Sequence, residues 1–75
     1  MKKAFQTNTK VQWSWGNGTG EGYIREVFRE KITKIIKGSD VTRNGSDDDP
    51  AYSIEQADGD KVLKLHSELE KAKSS

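Results

Sequence analysis

Two tryptophans, a tyrosine and four glycines crowd into Trp13-Ser14-Trp15-Gly16-Asn17-Gly18-Thr19-Gly20-Glu21-Gly22-Tyr23. Aromatic faces grouped near one loop attract cations, a methylammonium group among them, at about 0.5–2 kcal/mol per contact. Bases of a single nucleic-acid strand stack on such rings where basic residues flank them. Trp15, Tyr23 and Tyr52 are the candidate ligand-binding aromatics, each expected at a strand end near a loop. Arg25 and Lys34 are the candidate flanking cations. Trp13 alternates with Val11 and reads as core. A small domain needs its aromatics for packing, so burial competes with ligand binding at each of these positions.

Other chemistries find little to work with. His66 is the single histidine, in a strand, with no cysteine and no fixed acid beside it. Acid–base or nucleophilic catalysis needs groups held within hydrogen-bond reach, and strand neighbours such as His66 and Ser67 point to opposite faces. His66 is therefore expected to be structural or on the surface, and no catalytic residue is assigned. The run Gly16-Asn17-Gly18-Thr19-Gly20-Glu21 has Glu at the third glycine position of a dinucleotide fingerprint, and no helix follows it. It reads as a turn. Asp47-Asp48-Asp49 lacks the alternating oxygen ligands and central glycine of a calcium loop and reads as a solvated loop, so neither metal nor cofactor is expected.

The composition sets further bounds. A chain of 75 residues holds one domain and one modest core. One third of the residues are charged, with signs interspersed, yet two Trp, two Tyr and two Phe suffice to seed a core. Without cysteine there is no disulfide framework, which fits a reducing compartment. No apolar run approaches the ~20 residues of a membrane span and no signal-peptide core follows Met1-Lys2-Lys3, so a cytoplasmic, membrane-free location and a monomer are expected. Net charge is +1 but uneven: residues 1–37 carry eight Lys/Arg against three Glu, and residues 38–60 one Arg against seven acids. This is not the one-sided footprint of a dedicated nucleic-acid binder, although a local basic face survives from Arg25 to Lys37.

The elements that position these residues follow from periodicity. Residues 1–9 are polar and expected to be flexible, with Phe5 as an anchor. Lys10 to Trp15 alternates as a half-buried strand. Gly16 to Gly20 is read as the turn, and Glu21 to Arg29 as a second strand whose alternation slips between Ile24 and Val27, the sign of a bulge. Ile32, Ile35 and Ile36 have helical spacing, but β-branching and the hairpin signal Gly38-Ser39 favour a short strand pair. Asn44 to Pro50 is a loop. Tyr52 and Ile54 mark another strand, Ala57 to Asp60 a hairpin turn, and Lys61 to His66 the last strand. Ser67 to Glu70 reads as a short helical turn with Leu69 closing one end, and residues 71–75 as a flexible tail. The fold class is all-β: an SH3-like barrel of five or six short strands over residues 10–70, with a short C-terminal helical turn.

Three motifs then occur in order: Lys10-Val11-Gln12-Trp13 with the glycine run and Gly22-Tyr23-Ile24; Asp49-Pro50-Ala51-Tyr52-Ser53-Ile54-Glu55; and Val62-Leu63-Lys64-Leu65-His66-Ser67-Glu68-Leu69. In these the chain resembles the hypervirulence-associated Tudor-like domain family, over residues 10–71. The resemblance implies a Tudor-type barrel and no defined biochemistry. The functional expectation is a non-catalytic binding module for a protein or peptide, held on the loop-end aromatics or added to a strand edge. Salt-sensitive nucleic-acid binding through Arg25 to Lys37 is the alternative. A third is a purely structural or stress-related protein whose aromatics are all core.

Overall fold

The computed structural model describes residues 4–72, with the side chain of Trp15 outside the described part. Seven strands form in chain order: β1 (Lys10–Trp15), β2 (Gly18–Phe28), β3 (Lys31–Ile36), β4 (Ser39–Asn44), β5 (Ala51–Glu55), β6 (Lys61–Leu65) and β7 (Glu70–Lys71). A 3₁₀ turn, His66–Glu68, joins the last two. Five strands make one antiparallel sheet in the order β6-β5-β2-β1-β7, and β3 and β4 form a separate two-stranded ribbon inserted between β2 and β5. This is the small all-β, Tudor-type barrel expected, with a two-residue seventh strand besides. Residues 31–36 are strand.

The glycine run divides differently from its expected reading. Only Gly16 and Asn17 make the turn, with Gly16 at φ 47° as in a two-residue hairpin that starts on glycine. Gly18, Gly20 and Gly22 already belong to β2, where they pair with Trp15, Trp13 and Val11. A Cβ on Gly20 would stand 2.6 Å from the Trp13 indole. The missing side chain is what lets the indole lie against the strand. The second hairpin also turns one residue earlier than expected, at Lys37-Gly38, both with positive φ. Ser39 is therefore the first residue of β4.

β2 pairs with β1 through its first half and with β5 through its second, and the register slips between Ile24 and Glu26. That bulge sits where the sequence alternation fails. It bends β2 so that Val11, Trp13, Ile24, Tyr52 and Ile54 converge in one core, with Val27, Val62 and Leu69 packed against them. The segment before β1 makes defined contacts over its described part. Ala4 and Phe5 pack on the core, and the Asn8 N–H donates to the Ile24 carbonyl at 2.6 Å. At the other end, β7 pairs with β1 and the Ala72 N–H donates to the Lys10 carbonyl at 3.1 Å. Residues 1–3 and 73–75 lie outside the described residues.

β5 is buried on both faces, because Ala51, Tyr52, Ser53 and Ile54 all lie inside. Tyr52 and Ile54 face the core. Ala51 and Ser53 face the ribbon, whose half-buried residues are Ile32, Lys34 and Ile36 on β3 and Val41 and Arg43 on β4. Both ribbon strands approach β6. The chain leaves the ribbon through Gly45, where a Cβ would lie 2.6 Å from the Phe28 carbonyl oxygen and 2.8 Å from that of Glu30. Backbone cannot yield there as a side-chain tip can. Gly45→Ala is expected to lower stability by about 1–3 kcal/mol in urea unfolding. A variant as stable as the parent would show that the ribbon does not close on the sheet at this seam.

Candidate ligand-binding surface

Two clusters of side chains stand on the surface that the candidate residues share. In the first, Tyr23 is 40% exposed on β2, opposite Lys10 of β1 and Glu55 of β5. The Arg25 guanidinium lies over its ring, 5.6 Å from the centroid. Arg25 Nε also donates to the Glu55 carboxylate at 2.9 Å, and Arg25 Nη1 to the Asn8 side chain. Alternation puts Arg25 on the same face as Tyr23 and its cross-strand partner Glu55, so the three meet on one surface. The face that would receive a methylammonium group is thus already covered by the protein's own cation.

The second cluster lies under the ribbon. Lys34 Nζ stands 5.1 Å above the Phe28 ring and 3.2 Å from the Glu26 carboxylate. Beyond it, Lys37 Nζ meets Asp60 at 2.8 Å across the gap between the ribbon turn and the β5–β6 turn. That hydrogen bond, with the Asp60 charge, raises the Lys37 pKa above its ordinary value. Between these pairs runs a cleft of about 400 Å³, with Ile36, Val62 and Leu63 on its apolar side, Ile35 at the rim and Ser53 on its polar side. Ile35 is 76% exposed, the most exposed large apolar side chain among the described residues.

The three candidate aromatics do not form one cage. Trp15 pairs with Gly18 at one end of the β1–β2 ladder, and Tyr23 pairs with Lys10 at the other. Five residues of strand separate them, about 17 Å along the ladder. The Trp15 side chain lies outside the described residues. Tyr52 departs most from its expected loop-end position. It is in the body of β5, paired with Val27 and Lys64, and 0% exposed. Its placement is a correction with a simple cause: the core needs its largest side chain at the centre.

The Tyr52 hydroxyl is occupied as well. It accepts the Phe5 N–H at 2.9 Å and lies 2.8 Å from His66 Nδ1. The His66 ring stacks on Phe5 with centroids 4.6 Å apart. His66 is thus a packing residue, tied to the core by one ring nitrogen. Its neighbour Ser67 does not turn to it. Ser67 donates through its N–H and hydroxyl to the two carboxylate oxygens of Asp49, at 2.7 and 2.9 Å. Asp49 is therefore a clamp between the acidic loop and the 3₁₀ turn, more than the solvated residue expected. Among the described residues, no group of three or more His, Cys, Asp or Glu is placed to hold a metal ion. No helix there is long and apolar enough to cross a membrane.

Of the sequence-based candidates only Lys34 reaches the cleft. Its walls come from the β2 bulge, β3 and its turn, β5, and the β5–β6 turn with β6, and nothing in the local pattern of any one segment announces that they meet. The one available signal was Ile35, an isoleucine on the polar side of a strand that already had Ile32 and Ile36 for its inward face.

The family model for the Tudor domain of hypervirulence-associated proteins matches residues 9–69. The chain belongs to this family. No curated protein and no solved structure matches it. The match runs from the residue before β1 to Leu69, so this Tudor-type domain includes the inserted ribbon, the core and the 3₁₀ turn.

Burial holds the Tyr52 hydroxyl above the ordinary tyrosine value of 10.0. In the unfolded chain the phenol ionises at its ordinary value. The stability contributed by neutral, buried Tyr52 is therefore complete below about pH 10 and is lost as pH rises through the higher folded value. Tyr52→Phe is expected to cost about 1–3 kcal/mol near neutrality, because it leaves the Phe5 N–H and His66 Nδ1 without their partner. It is also expected to flatten the alkaline decline. Urea unfolding near pH 7 and above pH 10 measures both, and an unchanged midpoint near pH 7 would refute the account.

Proposed function

We propose that this Tudor-type domain is a non-catalytic module that binds a protein or peptide segment at the cleft between the β3–β4 ribbon and β6. Tudor domains generally bind proteins or nucleic acids, and the distribution of paired charge favours the first. Three of the basic residues in the Arg25–Lys37 stretch already have acidic partners: Arg25 with Glu55, Lys34 with Glu26 and Lys37 with Asp60. A phosphate backbone binds where cations stand free to exchange counterions for phosphates. Each of these three would first have to leave a carboxylate. What remains is a cleft with an apolar side and a rim of both signs, the mixture by which peptide side chains are recognised. His66, Ser67 and Asp49 are all engaged in structural contacts, which supports a role without catalysis.

The test is a ¹⁵N–¹H titration of the domain with peptides selected from a display library, and separately with single-stranded RNA and DNA, at low and moderate salt. The expected result is a peptide whose shifts cluster at Ile35, Lys37 and Lys61 to Leu63, with affinity falling only modestly as salt rises. Shifts caused by nucleic acid at Arg25, Arg29 and Lys31, fading steeply with salt, would replace this function with the alternative.

A further inference from the structure

Among the described residues several strand edges are partly blunted, while the outer edge of β3 is open. β1 is covered from Lys10 to Gln12 by β7 and by the Ala72 N–H on the Lys10 carbonyl. On β6, the Leu65 N–H is capped by the Glu68 carboxylate at 2.8 Å and Leu63 is buried beneath the ribbon. The ribbon itself has two edges. Its turn is the two-residue Lys37-Gly38, so Ile36 and Ser39 are the bonded pair that closes it. Alternation then bonds Lys34 with Val41 and Ile32 with Arg43. The backbone groups of Lys31, Thr33 and Ile35 on β3, and of Asp40, Thr42 and Asn44 on β4, turn outward. On β4, the Thr42 carbonyl accepts the Arg43 guanidinium at 3.0 Å. On β3, Lys31, Thr33 and Ile35 are exposed and have no backbone partner among the described residues.

We infer that the open edge of β3 receives an extended, acidic segment of a partner protein as an added strand. This rests on the peptide-binding reading above and names how that ligand binds. Main-chain bonds to Lys31, Thr33 and Ile35 hold the strand, and alternate side chains give selectivity. The cleft begins beside this edge, since residues 34–37 line its wall, and it takes an inward aliphatic side chain against Ile36, Val62 and Leu63. The outward face offers Ile35 to an apolar neighbour.

Charge chooses the occupant. From Lys31 to Lys37 the strand and its turn carry three lysines, at every third position, and no acid. A second copy of β3 paired over Lys31, Thr33 and Ile35 would bring a second set of these lysines to the same edge, and lysines on an edge strand discourage such pairing. A strand with glutamates at both ends reverses the sign, and it meets Lys31, which has no ion-pair partner among the described residues.

The test uses the capped peptide Glu-Ile-Val-Ala-Thr-Ile-Glu, its counterpart with Lys for Glu, and two N-methylated forms with the methyl groups on alternate sets of amides. The expected result is that the acidic peptide shifts the amides of Lys31, Thr33 and Ile35 and slows their hydrogen exchange. One N-methyl register should weaken binding at least about tenfold while the other is tolerated. The lysine peptide should not bind. Thr33→Pro removes an outward N–H, and with it the Thr33–Thr42 hydroxyl contact, and should abolish the effect with the amide spectrum outside the ribbon retained. Ile35→Thr, which removes apolar surface at an exposed site without changing charge, should weaken it without relying on proline. Equal loss from both N-methyl registers, or shifts centred on Tyr23 and Arg25, would overturn strand addition and leave the peptide-binding function standing. Concentration-dependent shifts at Thr33 and Ile35 without peptide would overturn it in favour of a second copy. No binding by the acidic peptide, while display-selected peptides do bind, would overturn the inference alone.

Discussion

β5 has no free face, and most of the architecture follows from that. Its residues Ala51 to Ile54 are all buried, which in a sheet requires cover on both sides. One side is covered by the core around Tyr52. On the other side Ser53 shares a cleft with Lys34 and Ile36 of the ribbon, which doubles back toward β6 on leaving β2. The bulge after Ile24, the glycine seam at Gly45 and the tight Lys37-Gly38 turn are the local devices that allow it. A small barrel gains a second buried layer this way, and a domain of this size has little other means of increasing the fraction of surface it buries.

The same constraint decides which side chains are free to meet a ligand. Tyr52 is drawn inside, and its hydroxyl is spent on Phe5 and His66. Tyr23 stays outside but under Arg25. The ion pairs around these rings are exposed, so each adds about 0–1 kcal/mol and none explains the fold. Their effect is on recognition. A surface on which Arg25, Lys34 and Lys37 are each matched to an acid presents no extended positive field across them, and it repels neither sign strongly. Selectivity then has to come from shape and backbone, which places it at the cleft and the ribbon edge.

The strands were legible because alternation is a local signal, and so was the bulge, because Ile24 and Val27 break the alternation within a few residues. The core positions of Val11, Trp13 and Ile54 followed from the same pattern. The glycine run misled at its far end, since glycine serves a turn by positive φ and a strand by making room for an indole, and composition does not separate the two. Tyr52 misled for a related reason. A tyrosine beside a loop in sequence sits in mid-strand once the register with Val27 and Lys64 is known. The anchoring of residues 4–9 and the Asp49–Ser67 clamp depend on partners far away in the chain, and no window of sequence contains both halves. The cleft is the extreme case, built from four separate segments.

An open edge is a hazard, and its persistence has to be weighed against what guards it. Lysines on an edge strand discourage pairing with another copy, and β3 carries them at Lys31 and Lys34, with Lys37 in the turn that follows. The guard is selective by sign, though. It bars a strand like itself and leaves the backbone available to one of opposite charge. Exposed Ile35 fits that balance, because apolar surface beside a charged guard adds attraction only for a strand that the guard admits. A contact of a few residues along one edge buries little area, which belongs with weak and reversible association. Such a module gains its useful strength when the partner presents several acidic strands or when several domains act together, since linked weak contacts multiply through effective concentration.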